Sequence, residues 1–469
     1  MHVSRDDGET WQDVTENLPD WPVDGVVRGI DASRWDAGKA YITVEAHQVG
    51  DFAPYVYRTE DYGESWTKIV DGISDHVLSF GRSIQEDPVR AGLLFLGTEN
   101  RVYVSFNDGD AWQPLINNMP AAPMYGIAIQ EHFNDLVIGT YGRGFWIMDD
   151  ITPLQQLSDE VRLTSAYLFE PRDAYRFNPR TSPAAQTIDA SAGDNPPNAA
   201  FVNYWVGDDM VESPATLVIA DAQGVVVRTL EGTSEPGINR VFWDFRGEES
   251  TPIRKRVPPL YADWVDYGPE RVRVQNGMSV RQPPGTYTVT LLIDGEEFAQ
   301  QLTVLKDPIS EGTIGDIRAQ VALLEEIRND LDAAADAINR IEWVRRQLYD
   351  LVDVLEDQGG ADDLITGADG LDASLIEIED DLTQLRSTGT GQDGVRYAAR
   401  IAEKLRHLSN GVGSADFRPT DQHGEVKVLL HGSLLDARSR LDALFQDELA
   451  AFNRLLRDRG LNPLISDDR

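Results

Sequence analysis

Two short stretches gather residue types that could act on a ligand. Tyr141, Arg143 and Asp149 place a phenol, a guanidinium and a carboxylate within one strand–turn–strand segment. Such groups can bind and protonate a substrate if other residues join them. Arg254, Lys255 and Arg256 form a basic triplet that could contact an anion. Each stretch also has a plainer structural reading. For the triplet this is a solvated loop cross-braced to nearby carboxylates.

Other chemistries find no footing. GTGQDG (389–394) matches a glycine-rich phosphate pattern, but it follows a helix and lacks a surrounding βαβ unit. There is no H-E-x-x-H, no Walker A and no G-x-S-x-G sequence. The seven histidines are scattered and there is no cysteine, so neither a metal site nor a disulfide is expected, and no cofactor is implied. Seventy-nine Asp and Glu face 42 Lys and Arg, six of them Lys, for a net charge of −37. A field of that sign repels phosphate backbones and anionic lipid, which argues against nucleic-acid binding. It is compatible with an ordinary soluble surface or with adaptation to high salt. No apolar run is long enough to span a membrane, and no signal peptide is visible.

The chain is too long for a single core, at 469 residues. Its first part repeats. SRDDGETW (4–11) returns as TEDYGESW (59–66) and SFNDGDAW (105–112). Each copy sits between alternating runs, which predicts strand, tight turn, strand. Gly8, Gly63 and Gly109 suit a left-handed turn position. Asp6, Asp61 and Asn107 can accept turn N–H groups. Ser4, Thr59 and Ser105 open the frame, and Thr10 and Ser65 offer a locking hydroxyl. Trp11, Trp66 and Trp112 are expected to bury a ring beneath the turn. These polar residues are therefore read as structural, and the third copy, with Asn107 and Ala111, as less well locked. Four short strands per 40–50 residues is the spacing of propeller blades.

The three units resemble Asp-box (BNR) repeats of sialidases and sortilin/VPS10-type propellers. EDPVRAGLLFLGTE (86–99) and DLVIGTYGRGFWIMDDITPLQQL (135–157) are similar to segments of large bacterial BNR-repeat proteins often labelled glycosyl hydrolases. Tyr141 stands where the usual form has His. The resemblance implies a partial propeller of about three blades over 1–160 and a strap and linker over 161–200. Alternating strands with turn signals predict an immunoglobulin or fibronectin-III-like sandwich over 201–308, with an inserted loop at 247–280. Apolar residues spaced by 3 or 4 from about 312 predict an antiparallel helical bundle over 309–469, and segments of both also resemble that family. Helices are expected from about 312 to Gly359–Gly360, at 371–386, at 393–409 and at 421–458. Three blades cannot close a ring, so further blades are expected upstream, in a parent exported to the periplasm or beyond the cell.

The favoured function is a non-catalytic propeller scaffold for a protein, peptide or glycan. The alternative is the C-terminal part of a sialidase-like glycoside hydrolase whose catalytic residues lie upstream. Binding is expected near Tyr141–Arg143 or on the 247–280 insertion.

Overall fold

The computed structural model describes residues 1–178, 193–208, 214–262, 272–358, 361–386 and 397–466. It combines antiparallel sheets with a C-terminal set of helices. The GTGQDG segment, Gly359–Gly360 and part of both the predicted linker and the 247–280 insertion lie outside the described residues.

Each repeat unit is a meander. Val26–Ala32, Ala40–Ala46, Asp51–Thr59 and Thr67–Lys68 form the first sheet in chain order. Gly81–Glu86, Leu94–Thr98, Val102–Ser105 and Gln113–Pro114 form the second, and Met124–Gln130, Asp135–Thr140 and Phe145–Met148 the third. The sheets stack in that order, each resting its first strand on the first two strands of its predecessor. The middle sheet is therefore covered on both faces. Leu94 and Leu96 pack with Tyr41 and Val56, whereas Leu93 and Phe95 pack with Met124, Leu136 and Ile138. That double cover is why strand Leu94–Thr98 is buried at every position and loses the usual alternation. Gly97 permits the close approach: a Cβ there would lie 2.7 Å from the carbonyl oxygen of Met124.

The repeated turns join the last two strands of the first two sheets, and the first copy joins the His2–Val3 and Gln12–Asp13 pair. In the second copy Asp61 Oδ1 accepts from Thr59 Oγ1 (2.9 Å) and the Ser65 N–H (2.8 Å), while Oδ2 accepts from Ser65 Oγ (2.6 Å). Thr59 Oγ1 accepts from the Gly63 N–H at 2.8 Å. Asp6 holds Ser4 and Thr10 in the same way. In the third copy Asn107 keeps the bond from the Ala111 N–H (3.0 Å), and no hydroxyl is present to make the last one. Left-handed backbone occurs at Gly8, Gly63 and Gly109 and also at Asp7, Tyr62 and Asp108 just before them. The second and third turns rest on the preceding unit: Gly63 packs on Val14 and Gly109 on Ile69, the residues three after Trp11 and Trp66.

Trp66 and Trp112 are buried, but Trp11 is 63% exposed. The difference is one of neighbours. Trp66 enters a core with Leu18, Ile42 and Val44, and Trp112 one with Tyr41 and Ile84. The two-stranded pair beside Trp11 has no sheet beneath it among the described residues.

Beyond the third sheet, two further sheets share a core that includes Val202, Tyr204, Trp243, Leu217 and Leu291. One has the order Ala166–Leu168, Ala200–Val206, Gly237–Trp243. The other runs Ala174–Arg176, Glu296–Lys306, Gly285–Ile293, Ala215–Ala220, Val226–Gly232. The stretch expected to be a strap thus supplies an edge strand to each sheet. Ala174–Arg176 lies parallel to Glu296–Lys306, the other sheet pairings being antiparallel. Helices Ile314–Gln358, Asp362–Leu382, Ile401–Val412 and Asp421–Leu444, followed by Phe445–Leu449 and Ala450–Asp458, bury one common core. The second helix starts earlier than expected and the third later. Buried Leu364 and Ala368 extend the apolar stripe of the second toward its N-terminus. Among the described residues no helix is long and apolar enough to cross a membrane.

Candidate functional site

The first strand of each repeat sheet carries a β-bulge at the same place. Pairing skips Arg28 between Val27 and Gly29, Arg82 between Gly81 and Ser83, and Tyr125 between Met124 and Gly126. A bulge leaves one residue outside the ladder and re-aims its side chain. The skipped residues here meet at one end of the stacked sheets.

Glu45 lies at the centre and is 1% exposed. It accepts from Arg28 Nε through Oε1 and from Arg82 Nη1 through Oε2. His47 Nδ1 stands 3.3 Å from Oε2. Arg82 also donates from Nε to Glu99 at 2.6 Å. Its guanidinium sits between two rings, 4.8 Å from the centroid of Phe80 and 4.8 Å from that of Tyr125. His47 stacks on the far face of this array, 4.9 Å from Phe80 with the planes 8° apart. Tyr125 leans on Tyr141 at 5.6 Å. The result is a ladder of His47, Phe80, Arg82, Tyr125 and Tyr141. It begins in the protein and ends in solvent, where Tyr141 is 72% exposed. A guanidinium between aromatic faces gains from the quadrupole of each ring. A carboxylate removed from water is retained only with strong partners, here two guanidinium groups.

Tyr141 belongs to this site. Arg143 does not join it through a side-chain bond among the described residues. It is exposed at the tip of the turn between Gly142 and Gly144, both left-handed, and its carbonyl accepts from Trp146 Nε1 at 3.1 Å. Asp149 lies at the opposite end of strand Phe145–Met148, so the structure separates it from Tyr141 and Arg143. The carbonyls of Asp149 and Asp150 accept from Arg240 at 2.9 and 2.8 Å, which fastens the third sheet to the three-stranded sheet. Burial and the neighbouring Asp135 raise the Asp149 pKa.

The basic triplet is divided. Its chain segment is not a solvated loop: Ile253–Lys255 pairs with Arg273–Gln275 and rests on helix Ile314–Gln358. The Arg254 N–H donates to Asn339 at 2.7 Å, and Lys255 Nζ donates to the Gln384 carbonyl at 2.9 Å. Arg256 is buried over the Trp343 ring, with its backbone N–H on Glu342. Buried Ile253 anchors the strand on the helix, Lys255 and Arg256 turn to partners there, and the Arg254 side chain stays exposed.

Glu45, Arg28, Arg82, Phe80, His47 and Tyr125 did not stand out by composition. A signal was nevertheless present. Arg28-Gly29-Ile30, Arg82-Ser83-Ile84 and Tyr125-Gly126-Ile127 repeat a large polar or aromatic residue, a small residue and Ile. Among the described residues no group of three or more His, Asp or Glu is arranged to hold a metal ion.

No protein-family model matches the chain, and no curated protein sequence matches it. Among solved structures it is similar to an ancestral GH74 enzyme at 14% identity over 64% of this chain and 44% of that one, with a TM-score of 0.26. It is similar to a GH74 xyloglucanase from Xanthomonas campestris at 13% identity over 59% and 37%, TM-score 0.22. The extracellular domain of a one-component system from B. thetaiotaomicron gives 12% identity over 60% and 37%, TM-score 0.20. The chain spans less than half the length of these structures.

Proposed function

We propose that the chain is a non-catalytic binding module whose three repeat sheets are propeller blades of the Asp-box type. In this reading the later sheets form an immunoglobulin-like sandwich and the helices a bundle, and both brace the blades. The ligand is a glycan, peptide or protein surface, received at the end of the sheets where Tyr125 and Tyr141 reach solvent. The observation that carries this reading is the ring ladder held on the Arg82–Glu45 pair. Rigid exposed rings offer contact area at low entropic cost. Of the three ligand classes a saccharide fits best, because a sugar presents a flat apolar face to the rings and hydroxyl acceptors to the partly exposed Arg28.

One observation favours a second reading, sialidase-like hydrolysis: two arginines, a glutamate and two tyrosines gather at one end. Against it, Glu45 is bound by arginines and hydrogen-bonds neither tyrosine hydroxyl among the described residues. A tyrosine nucleophile would therefore lack its base.

The test is a glycan and peptide array followed by calorimetry on the best binder, with Tyr125→Ala and Tyr141→Ala. Each variant should weaken binding about fivefold or more, as expected for stacked rings worth about 1 kcal/mol or more. Turnover of an aryl sialoside or another aryl glycoside, abolished by Tyr125→Phe, Tyr141→Phe or Glu45→Gln, would overturn the binding reading.

A further inference from the structure

A cleft of about 690 Å³ opens where the five-stranded sheet meets the helices, well away from the ring ladder. Its lining inverts the charge of the protein. Four arginines, Arg176, Arg246, Arg281 and Arg406, face one carboxylate, Asp416, which leaves the lining at +3 in a chain of net −37. Asp416 is already engaged: Oδ1 accepts from Arg176 Nη1 at 2.5 Å and Oδ2 from Asn178 Nδ2 at 2.6 Å.

Of the other three guanidinium groups, Arg281 and Arg406 have no ion-pair partner among the described residues. Arg281 donates to Asn178 Oδ1 at 3.0 Å and to the Phe177 carbonyl at 2.8 Å, and rests over the Phe245 ring. Arg406 donates from Nη2 to the Asn276 carbonyl at 2.9 Å, and its Nε is buried without a partner. Neither has a carboxylate within 4.0 Å among the described residues. Arg246 has one, the exposed Asp244, at 3.7 Å, and otherwise donates to the Ser279 carbonyl at 3.1 Å. The nearby Glu325 accepts from Gln282 at 2.9 Å. Burial, followed by repulsion from Arg176, brings the Arg281 pKa down to about 10, so it stays charged near neutral pH. Ordinary surface placement of like charges costs little, but gathering them in a concave, partly desolvated site is unfavourable unless a counter-charge enters.

We infer that this cleft is a binding site for a small multivalent oxyanion, a polar molecule bearing carboxylate, phosphate or sulfate groups. Guanidinium forks match the paired oxygens of such groups. The volume is that of a small-molecule site, and Ser279, Ser409 and Asn410 line it with further polar groups. This site is independent of the ring ladder, and its ligand differs in class from a neutral saccharide.

The test is calorimetry and thermal unfolding of the full chain with citrate, inorganic phosphate and sulfate, each against sodium chloride of matched ionic strength. Arg246 lies at the rim and Arg406 is partly exposed, so Arg246→Gln and Arg406→Gln are suitable variants, with circular dichroism as the check on folding. Arg5→Gln, at the exposed pair with Glu64, is the control. At least one oxyanion should bind one to one and raise the unfolding temperature beyond chloride. Both cleft variants should weaken it about tenfold or more, and the control should leave it unchanged. The identity of the strongest probe separates carboxylate from phosphate and sulfate ligands. Absence of binding by all three probes overturns the inference. So does equal binding by wild type and both cleft variants, or an equal loss in Arg5→Gln.

Discussion

Arg82, in the second repeat sheet, donates to Glu45, in the first, and both side chains are almost fully buried. This bond crosses between sheets, so it ties the stack together as well as holding the ring ladder. Removing Arg82 leaves Glu45 buried with Arg28 as its remaining guanidinium. We expect Arg82→Met to cost about 3 kcal/mol, the low end for breaking a buried pair because one partner survives. Arg28 is partly exposed, so Arg28→Gln should cost less than Arg82→Met. Urea midpoints of the two variants give the comparison. Equal losses would mean that the pair does not bridge the sheets.

The repeated turn should respond to acid. Bonds from the Ser65 hydroxyl, then from the Ser65 N–H, lower the Asp61 pKa to about 2. A carboxylate held below its ordinary value of 3.8 adds stability above that pH, and the gain disappears as pH falls through about 2. Asp61→Ala should therefore be less stable than wild type at pH 6, with the gap closing toward pH 2. Carbon-detected NMR titration should place the Asp61 midpoint near 2. Asn107, at the same position of the third turn, has no proton to gain, so Asn107→Ala should show a pH-independent difference. A midpoint near 4 for Asp61 would contradict the bonding described.

The strands, the repeated turns and the long helices were legible because each rests on local periodicity: two along Gly285–Ile293, three to four along Ile314–Gln358, and a fixed frame in the turns. The burial of Trp11 was misjudged because it depends on which sheet lies beneath, a question of stacking and not of sequence. The candidate site was mostly hidden for a similar reason. Glu45 and Arg82 are 37 residues apart, and only the close stacking of two sheets brings them together. Asp149 looked adjacent to Tyr141 because sequence distance is short. A fully extended strand between them puts them at opposite ends. The basic triplet read as a solvated loop because the sequence does not show the helix that engages its backbone and Lys255.

A net charge of −37 should make stability depend on salt. Self-repulsion destabilises the compact state, and ions screen it. Raising sodium chloride from about 0.01 M to about 1 M shortens the Debye length from about 30 Å to about 3 Å. The unfolding temperature should climb across that range, most steeply at its lower end. Exposed ion pairs such as Arg34–Glu131 weaken under the same screening, but solvated pairs of this kind contribute little. A flat or falling curve in calorimetry would mean that paired charges outweigh the global excess.

The insertion and the long helix meet at a proton. Glu342 accepts the backbone N–H groups of Arg256 and Val257, the latter at 2.9 Å, and so clamps the insertion onto the helix. Burial, then the negative charge of the adjacent Glu379, pushes the Glu342 pKa up to about 9. Arg345, also buried, answers Glu379 and Asp372 at 2.8 Å each. Glu342 therefore holds its proton to a higher pH in the folded chain than in the unfolded chain. A carboxyl raised above its ordinary 4.5 contributes its stability in full below that pH and loses it as pH rises toward 9. The slope in that window can reach about 1.4 kcal/mol per pH unit for one proton. Glu342→Gln copies the protonated form, since the amide can donate to Glu379 and still accept from the two N–H groups. It should match wild type near pH 5, exceed it at pH 8 and flatten the slope between. Denaturant unfolding at the two pH values decides the matter. A Gln variant that is weaker at both would show that Glu342 is charged in the fold.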